Sequence, residues 1–311
     1  MKPIRIGTRG SKLALWQANH VADRLQQRGL ATEIVIITTK GDVVLDRSLD
    51  KIGAKGVFTE ELEISLRTGH IDLAVHSAKD VQSTIPDDLE LLAFMEREQV
   101  NDVVVSFDPN LDLTRPDLVL GTSSTRRKAM LQRYYPNART AEARGNLQTR
   151  LRKLEEGQYH ALVLAYAGVH RMEYDDLIRH VLPATQFVPA AGQGSVAIEC
   201  ARNLQPELKE TLRQALDHAP THTALLAERA FLRTMEGGCS IPSFALATYT
   251  PEGALQLHGG LISLNGEQYI EETKSITNQA EAETLGVQIA ESVLQRGGQE
   301  ILDDIRAHRV A

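Results

Sequence analysis

The feature that most constrains this chain is a repeated alternation of short β-branched runs with helix-length amphipathic segments. Ile4–Gly7 predicts a strand, and Lys12–Arg28 carries Leu13, Trp16, Val21 and Leu25 on one helical face, with Ser11 placed to cap it. Glu33–Thr39 (EIVIITT) predicts a second strand and Thr59–Arg67 a helix, with further buried strands at Ile71–His76 and Leu91–Met95. Alternation of this kind predicts a mainly parallel sheet covered by helices. The pattern restarts after the charged stretch Glu96–Glu98: strands at Asp102–Ser106 and Leu118–Gly121, helices at Arg126–Tyr134 and Asn146–Glu156, then a strand at Ala161–Ala165. The two halves share an echo, IGTRGSKLAL at Ile6–Leu15 and LGTSSTRRKAML at Leu120–Leu131. Each reads as strand, Gly-Thr, small hydroxyl residues, then helix. Two topologically similar α/β domains with a hinge near residues 96–102 are the expectation.

The C-terminal part follows another pattern. A helix at Thr223–Met235 leads into EGGCSIP, then strand-like runs at Phe244–Tyr249, Ala254–Ser263 and Gln268–Ile276. Turns at Pro251–Gly253 and Asn265–Gly266 separate them as antiparallel hairpins require, and a helix at Ala280–Gln295 follows. This predicts a small α+β domain with an antiparallel three-stranded sheet.

With 311 residues, 42% of them hydrophobic, the chain has enough apolar material for two or three such cores. No stretch approaches the roughly 18 unbroken apolar residues of a membrane span. MKPIRIGTRGSK runs directly into a strand without a signal-like apolar core, and the two cysteines, Cys200 and Cys239, make no disulfide framework. A cytoplasmic protein is expected. The net charge of −7 argues against a nucleic-acid or acidic-membrane binder. Its distribution says more. Residues 115–171 hold nine Arg and two Lys against Asp117, Glu142, Glu155 and Glu156, whereas residues 251–311 hold four basic and ten acidic residues. A positive middle inside an acidic chain predicts a bounded anion site, and guanidinium forks suit carboxylate or phosphate.

GTSSTRR (Gly121–Arg127) is the most informative segment. A strand ends at Gly121, and Thr122, Ser123, Ser124 and Thr125 lead into a helix whose first turn bears Arg126 and Arg127. Helix N-terminal N–H groups, hydroxyls and guanidinium groups together make an anion pocket. The plain alternative is N-capping by Ser124 or Thr125 with both arginines in solvent. RGNLQTR adds Arg144 before a helix and Arg150 on it, and AGVHRM adds Arg171. Arg9, Arg126, Arg127, Arg144 and Arg171 fall in loops that follow strands, where open α/β sheets bind ligands.

HSAKD (His76–Asp80) places one carboxylate, Asp80, beside Lys79 at the same edge. In an arginine-lined site such an acid suits charge stabilisation or proton transfer, against the alternative of an Asp capping the next segment. His76 reads as a packed strand-end histidine. The sequence has no HExxH, CxxC or paired-His spacing, so no metal site is expected. PAAGQGS (Pro189–Ser195) lacks the full dinucleotide fingerprint, and its Gly192 and Gly194 suit a crossing between domains. Cys239, on the Gly-flanked EGGCSIP loop, is either a nucleophile candidate or a chance loop cysteine.

Taken in order, TRGSKLALWQA, KGVF with EELE, DLAVHSAKDV, GTSSTRR, RGNLQTRL, PAAGQG, and AERAFL with EGGCSIP closely resemble the porphobilinogen deaminase family. The resemblance runs from near residue 4 to beyond residue 240. It implies an enzyme of tetrapyrrole (haem) biosynthesis that joins four porphobilinogen molecules head to tail. Ammonia is lost at each step and hydroxymethylbilane is released by hydrolysis. It implies a dipyrromethane cofactor attached covalently, by a thioether, to Cys239, which makes that cysteine an anchor. Asp80 matches the family's catalytic aspartate, stabilising the cationic azafulvene and pyrrole nitrogens. By the same match Lys79, Thr122, Ser123, Ser124, Arg126, Arg127, Arg144 and Gly145 would bind cofactor, and Arg9, Ser11, Lys55, Arg150 and Arg171 substrate. Glu60 is a local departure, at a position where relatives can carry a basic residue. The implied fold is two periplasmic-binding-protein-like (type II) α/β domains plus the small C-terminal domain. The corresponding division is residues 1–98 with 196–216, 99–195, and 217–311. A monomer without nucleic-acid or membrane partners is expected.

The competing expectation is a non-catalytic two-lobed anion-binding or sensor protein, which would need neither Asp80 nor a loop thiol. An RNA-binding role for the 115–171 arginines is disfavoured by 5% aromatic content.

Overall fold

The structure, a computed structural model, describes residues 2–39, 59–236 and 241–310. These fall into two compact units, Met1–Glu98 with Gly192–His222, and Gln99–Ala191 with Thr223–Ala311.

In the first unit β1 (Ile4–Thr8) leads into α1 (Lys12–Gln26), whose N-cap Ser11 accepts a hydrogen bond from Ala14 N at 3.3 Å. The chain continues through β2 (Thr32–Ile36), α2 (Glu60–Arg67), β3 (Leu73–Ser77), a single 3-10 turn at Ala78–Asp80, and β4 (Leu89–Phe94). The second unit runs β5 (Asp102–Val105), β6 (Val119–Gly121), α3 (Thr125–Tyr134), β7 (Arg139–Ala141), α4 (Leu147–Glu155), β8 (Ala161–Ala165), α5 (Tyr166–Arg171) and β9 (Ile178–Val181). The chain then returns to the first unit as β10 (Val196–Ala201) and α6 (Pro206–Leu216).

Each unit holds one five-stranded sheet, ordered β2-β1-β3-β10-β4 and β7-β6-β8-β5-β9. The two orders are the same topology. The second strand in each order (β1 or β6) pairs in parallel with two neighbours, and an antiparallel strand (β10 or β5) then separates the third strand from an edge strand. The sheets are therefore mixed, where strand–helix alternation predicted mainly parallel ones. The reason is that the antiparallel strand enters from the far side of a crossing between units, and an apolar run carries no mark of its direction. β1–α1 and β6–α3 occupy equivalent places, which is the structural content of the Gly-Thr echo. Both glycines are closely packed by neighbouring side chains. A Cβ on Gly7 would meet Ile71 Cδ1 at 2.3 Å, and one on Gly121 would meet Leu162 Cδ2 at 2.9 Å.

The cores follow from the apolar faces. Val21 and Leu25 of α1 with Leu212 and Leu216 of α6 cover Ile6, Leu73, Val75 and Ile198 on one side of the first sheet, while Leu62 and Leu66 pack with Ile71 and Leu89 in a second cluster. In the second unit Leu118, Leu120, Met130, Leu131 and Phe187 form one cluster and Val103, Val105, Leu151, Leu162 and Leu164 another. Each such side chain contributes about 1.5–3 kcal/mol by burial.

Beyond β10, α7 (Ala219–Thr234) precedes a three-stranded antiparallel sheet, β11 (Ser243–Tyr249), β12 (Leu255–Ile262) and β13 (Tyr269–Ile276), in that order. Phe231 of α7 and Ile289 and Val293 of α8 (Ala282–Val293) cover its inner face with Leu257 and Leu261. A break at Arg296–Gly297 separates α8 from a last helix, α9 (Gln299–Val310), which the sequence pattern had not indicated. Within this unit the sheet rests on the sheet of β5–β9: Phe244 joins the Phe187 cluster, and Arg133 at the end of α3 donates to Gly266 O at 3.3 Å and stacks over Tyr269.

Candidate active site

In the first unit a pocket of about 90 Å³ opens at the carboxyl ends of β1 and β3, where ligands of open α/β sheets bind. Its lining includes Arg9, Ser11, Gln17, Thr59, His76, Ser77 and Asp80. Two of the expected substrate residues, Arg9 and Ser11, thus share a wall with the expected catalytic Asp80. Asp80 closes the 3-10 turn and is exposed, and no hydrogen bond or ion pair among the described residues engages its carboxylate. It caps no helix.

Polar side chains of this lining are held by hydrogen bonds. Gln17 Nε2 donates to Ser77 Oγ at 2.9 Å, and His76 Nε2 lies 3.0 Å from Glu199 Oε2 on β10. Both members of the His76–Glu199 pair are buried, and Glu199 Oε1 has no partner among the described residues. His76 is packed, as its sequence context suggested.

The Asp80 turn is braced from behind by the PAAGQGS segment. Ala78 N donates to Ser195 O at 3.0 Å, and Lys79 Nζ donates to Gln193 Oε1 at 3.4 Å. Gln193 is itself held by Arg97 Nε donating to its carbonyl at 2.8 Å. Gly192 has φ +79°, and a Cβ there would lie 2.8 Å from Ala78 C and Lys79 N. The glycine therefore lets two backbones touch. Sequence reasoning assigned it a crossing role and missed this one.

In the second unit Thr122–Arg127 forms the turn into α3. Ser124 caps the helix, accepting from Arg127 N at 3.4 Å, and Thr122 Oγ1 accepts from Ser124 N at 3.3 Å. Ser123 Oγ accepts from Ala143 N at 3.1 Å, which joins this turn to the Arg144–Arg150 segment. There Arg144 Nε donates to Glu142 Oε2 at 3.1 Å, and Glu142 also pairs with Lys128. Gly145 takes φ +101°, its carbonyl accepts from Arg150 Nε at 2.8 Å, and Asn146 caps α4. Arg171 ends α5, partly buried.

Arg126 and Arg127 do not point into solvent. They are 5% and 7% exposed and share Asp102, which is fully buried at the start of β5. Arg126 Nη2 donates to Asp102 Oδ2 at 2.7 Å; Arg127 Nε and Nη2 donate to Oδ1 at 3.0 and 2.7 Å. Their remaining Nη1 groups donate to Val188 O at 2.9 Å and Val163 O at 3.0 Å. Arg126 Nε is buried without an acceptor among the described residues. Burial pulls the Arg126 guanidinium below its ordinary value, and the charge of Arg127 acts in the same direction against that of Asp102. Sequence reasoning missed Asp102. The available signal was an acid opening the otherwise apolar strand DVVV, because a buried carboxylate must be paired.

Cys200 is buried, and burial with the nearby Glu90 charge pushes its thiol up to about 12, so it is inert. Cys239 and Lys55 lie outside the described residues.

Capped helix N-termini, partly buried arginines and a guanidinium N–H without an acceptor among the described residues suit a group bearing carboxylates, while the first unit offers an acid at a pocket mouth. This combination defines a class: α/β proteins duplicated in topology, with an acid-bearing pocket on one unit and an arginine cluster on the other. The comparisons specify it further. Residues 4–209 match the family model "Porphobilinogen deaminase, dipyromethane cofactor binding domain", and residues 222–295 match "Porphobilinogen deaminase, C-terminal domain". Porphobilinogen deaminase of Cytophaga hutchinsonii is 55% identical over 98% of this chain and 97% of its own length. That of Desulfosudis oleivorans is 49% identical over 97% of this chain and 98% of its own. Among solved structures, the methionine binding protein MetQ matches 68% of this chain and 89% of its own, with a TM-score of 0.44 and 14% identity. The chain belongs to the porphobilinogen deaminase family.

Proposed function

We propose that Asp80 is the acid on which this enzyme's chemistry turns, and that the arginines of both units hold the acidic side chains of its ligands. The reaction is the family's: four porphobilinogen molecules are joined head to tail, one ammonia leaves with each, and hydroxymethylbilane is released by hydrolysis. When the amino group departs, the pyrrole nitrogen gains positive charge. A carboxylate stabilises that charge, and it does so most strongly where water is sparse. Arg9 and Ser11 on the same wall suit the substrate's carboxylates.

The dipyrromethane cofactor, when bound by a thioether to Cys239, supplies the pyrrole end that receives the first substrate unit. Thr122, Ser123, Ser124, Arg126, Arg127, Arg144 and Gly145 would hold its acetate and propionate groups, with Lys79 beside Asp80. Lys55, Arg150 and Arg171 complete the proposed substrate set. Porphobilinogen is the partner. The acidic net charge disfavours nucleic acid, and no described helix is long and apolar enough to cross a membrane. We infer a cytoplasmic monomer; its large exposed apolar side chains, Ile36, Ile64, Phe107, Val181 and Leu264, lie on separate segments.

The observation that carries the assignment is the Asp80 carboxylate, unengaged among the described residues, in a pocket shared with Arg9 and Ser11. Its test is Asp80→Asn. The variant should keep the mass of the bound cofactor while turnover falls by about 10²–10³, the scale of losing one preorganised charge stabiliser. Turnover at the wild-type rate would remove Asp80 from the role.

A further inference from the structure

The Asp102 carboxylate is distant in sequence from the residues the family resemblance marks, yet it is the group on which two of them are built. We propose that Asp102 is a positioning residue for the cofactor: it fixes the two guanidinium forks of the α3 N-terminal turn and leaves them one net positive charge for a ligand carboxylate. The inference rests on the assignment of Arg126 and Arg127 to the cofactor's acidic groups.

Three observations carry it. Asp102 gives one oxygen to each arginine, so the two forks are set against each other by a single rigid strand residue rather than by two flexible partners. Backbone carbonyls of Val163 and Val188 take the opposite Nη1 corners, which leaves neither guanidinium free to rotate. The trio of two guanidinium groups and one carboxylate is buried yet not neutral, and Arg126 Nε keeps an unmet donor there. A buried surplus charge with an unmet donor costs free energy until an acceptor arrives. An incoming carboxylate at this turn supplies both the charge and the acceptor, and it meets forks already oriented. Without Asp102 the same arginines would repel each other and swing apart. The charge would rise and the geometry would be lost.

The test compares Asp102→Asn and Asp102→Ala with the wild type, each prepared without cofactor, exposed to porphobilinogen and weighed intact under denaturing conditions. Far-UV circular dichroism and Tm report folding separately. Asp102→Asn should fold but gain the two-pyrrole mass at least about tenfold less efficiently, the order expected when charge-assisted fork contacts are lost. In Asp102→Ala, formate present during loading should restore the mass gain, with chloride at equal ionic strength giving none. Formate fills the place of the missing carboxylate, which a merely structural role would not reward. If Asp102→Asn does not fold, Asp102→Asn/Arg127→Gln returns the site to one net charge without the forks and should fold unloaded. Wild-type loading by any folded variant of Asp102, or a deficit in Asp102→Ala that formate leaves untouched, would overturn the proposal. Failure of the wild type itself to gain the mass would instead refute the cofactor assignment on which it rests.

Discussion

Replacing Gly192 by alanine tests whether the PAAGQGS segment sets the position of the Asp80 turn and whether that turn carries the proposed chemistry. At φ +79° an L-residue pays about 1–2 kcal/mol for the left-handed backbone. The added Cβ would stand 2.8 Å from Ala78 C and Lys79 N. Ordinary carbon contacts begin near 3.5 Å, so the 3-10 turn must retreat by roughly 0.7 Å, at a further overpacking cost of about 1–3 kcal/mol. The total of about 3 kcal/mol corresponds to a Tm loss of roughly 6–12 °C. A displacement approaching 1 Å at a positioned group costs about 10²-fold in rate, so kcat should fall by roughly 10–100-fold. Gly29→Ala is the matched control. It has φ +77° in the same unit with nothing within 4 Å of its added Cβ, so it carries the backbone cost alone. It should lose Tm by a few degrees and keep its kcat. Steady-state porphobilinogen consumption, with cofactor content measured by mass, reads both variants. Equal kcat for Gly192→Ala and Gly29→Ala would refute the reasoning, whatever their Tm values.

Further outcomes follow from buried groups outside that turn. With its pKa raised to about 12, Cys200 should resist alkylation at pH 8 in the folded protein and react only on unfolding, so holoprotein labels at no cysteine and cofactor-free protein at Cys239 alone. The same shift makes the folded state hold a proton that the unfolded state loses near 9. Its contribution is therefore complete below pH 9 and is lost as pH rises toward about 12, which urea midpoints across that range would show. Glu199→Gln removes the charged partner of His76 and brings an amide whose second polar atom has no more partner than Oε1 has now. It should lower stability by about 1–3 kcal/mol, read as a shifted urea midpoint at unchanged m-value. An unchanged midpoint would mean that the buried pair is energetically idle.

Much of this architecture was legible in the sequence because it is written locally. Ser11, Ser124 and Asn146 cap helices where hydroxyl or amide residues precede helical periodicity, and the Gly-Thr echo marks equivalent strand ends. The placement of Asp80 in a turn straight after a buried strand was legible from HSAKD, which follows the strongest buried strand of the first half. What escaped is written in pairings across long stretches of chain. β10 inserts antiparallel between β3 and β4 from more than a hundred residues downstream, and nothing in VAIECA states its direction. β7 and β9, RTA and IRHV, are short edge strands whose mixed polarity matches neither helix nor strand period well. The Asp102 clamp spans 24 and 25 residues, and the contact of Gly192 with Ala78 spans more than a hundred, so both appear only when the sheet is assembled.

The most direct measurement is the intact mass of the purified chain under denaturing conditions, beside a Cys239→Ser variant, before and after incubation with porphobilinogen. The wild type should carry an excess equal to two porphobilinogen units, each less ammonia, and the variant should never acquire it. A wild-type chain that keeps its bare sequence mass after incubation would contradict the assignment of Cys239 as the cofactor anchor and of this chain as the enzyme that builds upon it.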